Sequence, residues 1–135
     1  MNFSPTAAKK SASLDVLVID DEPLIRWSLT ETLAAAGHRV TEAGDRESAI
    51  RVLTAGAIPP DVVLLDYRLP DSNDLGLLAT IRQLAPRAQV IVMTAFGTPE
   101  VTNGALELGA FRVVGKPFEM HDLAALVLLA HASRG

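Results

Sequence analysis

Apolar and polar residues alternate in blocks along nearly the whole chain. Five apolar runs have the length and composition of buried strands, and they occupy residues 14–19, 38–43, 61–66, 88–94 and 110–114. Five segments with helical spacing of apolar residues follow them, at residues 23–37, 45–56, 74–85, 98–109 and 121–132. Five repeats of strand and helix predict a mostly parallel sheet that is covered by helices on both faces.

Start and stop signals frame the predicted helices. Pro23 suits the first helical position and Gly37 the end of the first helix, while Asp45 and Thr98 suit the caps of the second and fourth. Residues at helical spacing form the stripes that should face the sheet. In the first, third and fifth helices these stripes are Ile25, Leu29, Leu33 and Ala36; Leu78, Ile81 and Leu84; and Leu123, Leu126, Val127 and Ala130.

This pattern predicts one α/β domain. Right-handed crossovers leave few topologies, and five strands then form a doubly wound parallel sheet of order 2-1-3-4-5, a flavodoxin-like (βα)5 fold. Residues 1–13 are small, polar and aperiodic, and we expect a flexible N-terminal tail there. The domain should span residues 14–132, and residues 133–135 should be the C-terminal end or the start of a linker.

Composition narrows the possible function classes. The 135 residues are 49% hydrophobic, which is ample for a core, and the net charge of −4 argues against direct nucleic-acid binding by this domain. Because the chain has no cysteine, disulfides, zinc–thiolate sites and cysteine nucleophiles are excluded. No apolar run approaches the length of a membrane span and the N-terminus has no secretory signal, so a cytoplasmic protein without a membrane partner is expected.

The ends of the predicted strands carry the polar residues. In sheets of this topology, ligands bind beyond the carboxyl ends of the strands, at the switch point that strands one and three flank. Strand one ends at Asp20 and Asp21, strand three at Asp66 and strand four at Thr94, and Lys116 follows strand five. We therefore expect three carboxylates to converge there, with a hydroxyl and an ammonium group opposite them.

Three converging carboxylates repel one another, so they either have raised pKa values or recruit a cation. Two like charges about 4 Å apart repel by about 4 kcal/mol at an effective dielectric constant of about 20. An oxygen-only site with few protein ligands suits Mg²⁺, which keeps several waters. Mg²⁺ and Lys116 could neutralise phosphoryl oxygens and Thr94 could donate to one of them. Asp66 is then predicted to be a nucleophile that forms an aspartyl phosphate.

Each of these residues also has an ordinary structural interpretation. An Asp after a strand commonly caps a turn, and adjacent acids before a helix favour its dipole. A Thr after a strand can satisfy a local backbone group, and a Lys before Pro is usually on the surface. All of them nevertheless fall at one edge of the predicted sheet and none interrupts a strand, which favours the joint interpretation as a phosphoryl-transfer site.

Four motifs in order carry a resemblance to a known family. They are VIDDEP (18–23), LLDYRLPD (64–71), VMTAFG (92–97) and GKPF (115–118). The chain resembles the response regulator receiver domain of bacterial two-component signalling over residues 14–132. The stretches DDEPLIRW and MTAFGTPE most resemble the nitrogen-regulator type, the enhancer-binding activators, in which the receiver is often fused to an ATPase that activates transcription.

The resemblance implies a role for each matching residue. Asp66 corresponds to the phosphoacceptor, and Asp20, Asp21 and Asp66 to the carboxylates that hold Mg²⁺, with the backbone carbonyl of Arg68 as a further metal ligand. Thr94 corresponds to the switch hydroxyl and Lys116 to the phosphate-binding lysine. The implied protein is a Mg²⁺-dependent phosphoacceptor switch that takes its phosphoryl group from a histidine kinase and controls an output such as transcription. It would catalyse only its own phosphorylation and slow self-dephosphorylation, so it would not be an enzyme.

Two places depart from the family pattern, Val113 and the pair Asn73-Asp74, where receivers usually have Asp-Gly. Receivers usually carry an aromatic residue or a histidine three residues before the lysine, where its rotamer is coupled to the switch threonine, and here that position is Val113. We expect Phe111 in the same strand to belong to the core rather than to replace that ring. The family also commonly dimerises through helix four, strand five and helix five. A homodimer through this face is expected, with Leu128 pointing away from the buried stripe of helix five.

Two neighbouring residues bear on the lifetime of the phosphoryl group. Hydrolysis needs a water in line with the bond between Asp66 and phosphorus. Arg68 and Phe96 lie two residues beyond Asp66 and Thr94, and both are expected to border that approach. Because both side chains are bulky, self-dephosphorylation should be slow.

Two alternatives use the same chemistry or the same fold. A Mg²⁺-dependent phosphohydrolase that works through an aspartyl phosphate usually has a second acid two residues after its nucleophile, and this chain has Arg68 there. A nucleotide- or flavin-binding domain would need a Gly- or Ser/Thr-rich phosphate loop after strand one, where the acidic DDEP would repel phosphate. The phosphohydrolase therefore remains as the alternative to the switch.

Overall fold

The computed structural model describes residues 13–56 and 58–133 of the chain. Five parallel strands form one sheet in the order β2-β1-β3-β4-β5, as the sequence predicted. The strands are β1 (Asp15–Ile19), β2 (Arg39–Ala43), β3 (Val62–Asp66), β4 (Gln89–Thr94) and β5 (Arg112–Gly115). The helices are α1 (Pro23–Ala35), α2 (Arg46–Ala55), α3 (Gly76–Leu84), α4 (Pro99–Glu107) and α5 (Met120–Ala132).

The outermost predicted segments lie beyond this range. Residues 1–12 of the expected tail and residues 134–135 of the expected C-terminal end are outside the described residues. None of the helices within 13–56 and 58–133 combines the length and the hydropathy of a membrane span.

Each face of the sheet has its own hydrophobic cluster. Successive strand residues point to opposite faces, so Val62 and Leu64 join α1 and α5 on one side, while Val63 and Leu65 join α2, α3 and α4 on the other. All five residues of β3 are buried, which explains why this strand is a continuous apolar run instead of an alternating one. Burying a side chain such as Leu64 stabilises the fold by about 2 kcal/mol.

The predicted helix stripes are mostly confirmed, with two corrections. In α5, Leu123, Val127 and Ala130 are buried, and Leu126 packs against the same cluster. Ala36 was expected in the stripe of α1 but is exposed, because that helix ends at Ala35 before the turn at Gly37. Leu84 was expected in the stripe of α3 but is 40% exposed at the last position of that helix, where Leu78 and Ile81 fill the core instead.

The strand register brings the polar strand ends together. β1 and β3 are neighbours, and Ile19 pairs with Leu65. The next residues, Asp20 and Asp66, therefore lie at the same end of the two strands. On the other side of β3, Asp66 pairs with Met93, the residue before Thr94. Thr94 in turn pairs with Gly115, which precedes Lys116. One edge of the sheet therefore carries all the polar groups that the sequence placed at strand ends.

Candidate functional site

Three carboxylates form the centre of this edge. One oxygen atom from each of Asp20, Asp21 and Asp66 lies within 4.8 Å of the others. Asp20 is fully buried and Asp66 nearly so, whereas Asp21 is exposed to solvent. The predicted convergence of the three acids is therefore present in the structure.

Backbone amides orient two of these carboxylates. The Glu22 N–H donates to Asp20 Oδ1 at 2.9 Å, and the Arg68 N–H donates to Asp66 Oδ1 at 3.3 Å. Each bond joins a carboxylate to an amide two residues along the chain, the local turn that Asp forms readily after a strand. The local turn that the sequence suggested for an Asp after a strand is therefore present at both acids.

Lys116 is the cation that faces the acids. Its Nζ lies 2.9 Å from Glu22 Oε1, 3.1 Å from Asp20 Oδ2 and 3.2 Å from Asp66 Oδ2. The side chain is largely buried, and its backbone N–H donates to the carbonyl of Thr94 at 2.8 Å, which ties it to the end of β4. The Lys116–Pro117 peptide bond is cis. Lys116 is therefore held within the acid cluster by its contacts and is not a surface lysine.

The surroundings shift the pKa values of both Asp66 and Lys116. Burial raises the pKa of Asp66 to about 6, and the charge of Asp20 adds to the rise, while Lys116 and the Arg68 N–H oppose it. Burial alone would lower the pKa of Lys116, but hydrogen bonds to Glu22 and Asp20 and the charges of Asp66 and Asp20 raise it overall. At neutral pH the site thus holds a mostly ionised Asp66 beside a protonated lysine.

An open cleft of about 340 Å³ gives access to these groups. Its lining includes five of the six residues that the sequence assigned to the site, namely Asp21, Asp66, Arg68, Thr94 and Lys116. The hydroxyl of Thr94 accepts a hydrogen bond from the Phe96 N–H at 3.2 Å. Phe96, which was expected to border the approach of water together with Arg68, is 74% exposed and is not part of this lining. Of these two residues, Arg68 therefore lines the cleft and Phe96 does not.

The donor set fits a hard divalent cation. All three side chains offer carboxylate oxygens, the ligand type that such cations prefer, and the exposed Asp21 leaves water room to complete a coordination shell. The repulsion among the acids is offset in part by Lys116, a single ammonium group against four carboxylates when Glu22 is counted. A second positive charge would relieve the remaining repulsion.

Val113 and Phe111 lie on different sides of the sheet. Val113 is half-buried against the cluster under α2, α3 and α4, whereas Phe111 packs with Val114 in the cluster under α1 and α5. Phe111 therefore belongs to the core of the opposite face, as expected from the sequence, and it does not replace an aromatic side chain at position 113.

Two residues at the site were missed by the sequence reasoning. Glu22 makes the shortest of the three ion pairs of Lys116, and Arg26 donates from Nη1 to the carbonyl of Asp20 at 2.6 Å. The available signals were local, because Glu22 directly follows the acid pair and Arg26 lies one helical turn after Glu22. Charged residues in the first turn of a helix are common, so neither signal was specific.

Comparison with known proteins covers most of the chain. The model of the family described as response regulator receiver domain matches residues 16–128. The DNA-binding transcriptional regulator NtrC of Escherichia coli (strain K12) is 38% identical over 112 residues, which are 83% of this chain and 24% of the relative. The regulatory protein AtoC of the same strain is 35% identical over 112 residues, again 83% of this chain and 24% of the relative. The chain thus spans about a quarter of the length of these curated relatives.

A solved structure agrees with the sequence comparison. The BeF3-activated DrrB receiver domain superposes with a TM-score of 0.76 at 28% identity, covering 87% of this chain and 97% of that chain. The family model thus matches a chain that also has the parallel sheet of order 2-1-3-4-5 and acidic residues at the strand ends.

Proposed function

The chain belongs to the response regulator receiver domain family, and we propose that Asp66 is the residue at which its domain, residues 14–132, is phosphorylated by a histidine kinase. The observation that carries the assignment is the joint position of Asp66, within 4.8 Å of the oxygens of Asp20 and Asp21 and 3.2 Å from the ammonium nitrogen of Lys116. The proposed switch needs a nucleophile, a cation site and a fixed positive charge, and these residues supply all three.

The transfer step follows from these positions. A carboxylate oxygen of Asp66 attacks the phosphorus of the phosphohistidine, so that a P–O bond forms while the P–N bond breaks. The electron pair of that bond returns to the imidazole nitrogen, which then takes up a proton. The Lys116 ammonium group lies where it can neutralise one phosphoryl oxygen, and the Thr94 hydroxyl at the cleft can donate to another.

The cation we propose for the acid cluster is Mg²⁺. Asp20, Asp21 and Asp66 would hold it, together with the backbone carbonyl of Arg68, and oxygen donors of this kind suit it. When bound, it supplies positive charge that offsets the charge on the transferring phosphoryl group.

We propose further that this domain acts on its own phosphoryl group and not as a phosphohydrolase. Arg68 lies at the cleft two residues after Asp66, and a guanidinium group keeps its protons at neutral pH, so it cannot act as a general acid for a leaving group. The family match supports the switch and does not support the hydrolase. By analogy with NtrC, which is named as a DNA-binding transcriptional regulator, the output would be control of transcription. We propose separately that the α4–β5–α5 face, where Leu106, Leu108 and Leu128 are exposed, serves dimerisation.

Intact-mass measurement after exposure to acetyl phosphate and Mg²⁺ tests the assignment. The parent chain should gain the mass of one phosphoryl group, and Asp66→Asn should gain none. Asp71→Asn is the matched control, because this exposed acid in the same loop accepts hydrogen bonds from the N–H groups of Arg46 and Glu47 and should leave phosphorylation unchanged. An equal mass gain in Asp66→Asn would overturn the assignment of Asp66.

A further inference from the structure

The guanidinium group of Arg26 contacts both the acidic turn after β1 and the neighbouring strand β2. Its Nη1 donates to the carbonyl oxygen of Asp20 at 2.6 Å, and its Nε donates to the Glu42 carboxylate at 3.1 Å. The side chain is only 24% exposed, although it starts from the first turn of α1. One arginine therefore joins the turn after β1, the helix that follows it and the neighbouring strand β2.

Gly44 leaves the space that this arrangement needs. A Cβ atom at position 44 would lie 3.0 Å from Arg26 Nη1, closer than most real contacts of such an atom. Gly44 directly follows β2, so the guanidinium group passes over the end of that strand. A side chain at position 44 would therefore displace the guanidinium group of Arg26 by a few tenths of an ångström.

The carbonyl of Asp20 belongs to the peptide bond that links the two acids. The sheet holds the other side of this residue, because the Asp20 N–H donates to the carbonyl of Ala43 at 3.1 Å. The register of β1 with its neighbours ends at Ile19, so strand pairing does not determine the direction in which Asp21 leaves the sheet. The hydrogen bond from Arg26 restrains the carbonyl of that peptide, and the bond from the Glu22 N–H to Asp20 Oδ1 restrains the same turn from its other end.

We propose that Arg26 is a positioning residue for the cation site, and that Glu42 orients it for that role. The proposal rests on the function proposed above, because the property it explains is cation binding by the acid cluster. Groups that orient metal ligands from outside the coordination shell commonly change metal affinity by about 10- to 100-fold when they are removed. Arg26 does not contact the cluster's carboxylates and acts through the backbone of Asp20.

The plain alternative is that Arg26 only fastens α1 to β2. Arg39 provides the control for that alternative, because it makes a bidentate ion pair with Asp15, at 2.8 and 2.9 Å, that joins β2 to β1 at the end of these strands away from the acidic turn. Arg39→Met removes a comparable arginine–acid bridge between β1 and β2 without touching the acidic turn. A purely structural role predicts the same behaviour for Arg26→Met and Arg39→Met.

The experiment is a Mg²⁺ titration of the 135-residue chain, followed by amide chemical shifts of residues 20, 21 and 66. Arg26→Met should weaken Mg²⁺ binding about tenfold, while Arg39→Met should stay within about twofold of the parent. Glu42→Ala should also weaken binding, and it stands in if Arg26→Met does not fold. Glu42→Gln should bind like the parent, because its amide oxygen can still accept the hydrogen bond from Arg26 Nε.

A second measurement needs no metal. Amide hydrogen exchange at Asp20 and Glu22, whose N–H groups donate to the Ala43 carbonyl and to Asp20 Oδ1, should accelerate in Arg26→Met but not in Arg39→Met. If the parent does not bind Mg²⁺, the proposed metal site fails and the role of Arg26 toward that site fails with it, even where Arg26→Met loosens the turn. If Arg26→Met matches Arg39→Met in both measurements, the positioning role is overturned.

Discussion

The ammonium nitrogen of Lys116 lies 3.2 Å from Asp66 Oδ2, and it does not belong to Asp66 alone. The same nitrogen lies 3.1 Å from Asp20 and 2.9 Å from Glu22, so three carboxylates share one cation. A phosphoryl group on Asp66 would compete with these acids for the lysine, because it carries more negative charge than the carboxylate it replaces. Before phosphorylation, Lys116 thus partly neutralises these acids, and the phosphoryl group on Asp66 would bind the same ammonium group.

Replacing Lys116 with Met should destabilise the metal-free protein. The change leaves Asp20 and Asp66 buried without their cation, and removal of one partner of a buried ion pair costs about 3 kcal/mol or more. Millimolar Mg²⁺ should restore part of this loss by supplying positive charge. Urea unfolding with and without Mg²⁺ measures both effects.

Arg51→Met is the control for this prediction. Arg51 pairs with Glu47 at 3.8 Å on the exposed side of α2, where such a pair is worth about 0.5 kcal/mol or less. If Lys116→Met costs no more than Arg51→Met, Lys116 does not balance the acids in the way its three distances indicate.

The raised pKa of Asp66 predicts a pH-dependent stability. The carboxyl group holds its proton up to a pH of about 6 in the folded state but only to 3.8 in the unfolded state, so ionising it destabilises the fold. This cost is absent below 3.8 and is fully present above 6, where it reaches at most about 3 kcal/mol. Without Mg²⁺, Asp66→Asn should therefore gain stability relative to the parent as the pH rises from 4 to 7, as urea unfolding can measure.

Asp45 supplies a control with the opposite sign. Hydrogen bonds from the side chain and the backbone N–H of Ser48 lower the pKa of Asp45, so its ionised form stabilises the fold above the unfolded value of 3.8. Asp45→Asn should be less stable than the parent at pH 7, with the difference shrinking as the pH falls toward 3. If the two variants changed in the same direction with pH, the assigned shift at Asp66 would be wrong.

The fold could be predicted from local patterns because those patterns agree with each other. The run Val62–Leu65 is apolar without alternation, and the structure buries it on both faces, so the pattern predicted the correct topology. Element ends were less certain, since Leu84 continues the helical spacing of α3 but lies at its last position and faces solvent. The helical spacing of apolar residues predicts which face of a helix a side chain is on. It does not predict how far along the helix that face remains in contact with the sheet.

The site could be predicted as far as residues at strand ends. Asp20, Asp66, Thr94 and Lys116 follow from topology, because parallel strands deliver their carboxyl ends to one edge. The contacts of Glu22 and Arg26 could not be predicted, since they depend on side-chain reach across the turn. His38 is a similar case, because a lone histidine gives no periodic signal, yet it is buried and its Nδ1 accepts from the Leu14 N–H at 3.0 Å.

Val113 should contribute to packing and little to phosphorylation. It is half-buried against the cluster under α2, α3 and α4, does not line the cleft, and has no ring to turn toward Thr94. Val113→Ala should lower the free energy of unfolding by about 1 kcal/mol. The rate of phosphorylation by acetyl phosphate should stay within about twofold of the parent. Thr94→Ala, which removes the hydroxyl at the cleft, should slow phosphorylation clearly, and equal slowing in both variants would show that Val113 is coupled to the site.

The proposed dimer face makes the last prediction. Leu128 on α5 is 43% exposed, and Leu106 and Leu108 at the end of α4 are exposed as well. If phosphorylation shifts a monomer–dimer equilibrium through α4, β5 and α5, a phosphate mimic with Mg²⁺ should raise the sedimentation coefficient of the parent. Leu128→Glu should suppress this rise, because pairing the two copies would bury a charge in an apolar contact.

Leu84→Glu separates a specific contact from a general effect of surface charge. Leu84 is similarly exposed, at 40%, but it lies at the end of α3, which packs on the other face of the sheet from α5. Its variant should dimerise like the parent when the mimic is bound. A parent that stays monomeric with the mimic bound would rule out this dimer. Equal suppression by both variants would also contradict it, because of these two leucines only Leu128 lies on the proposed face.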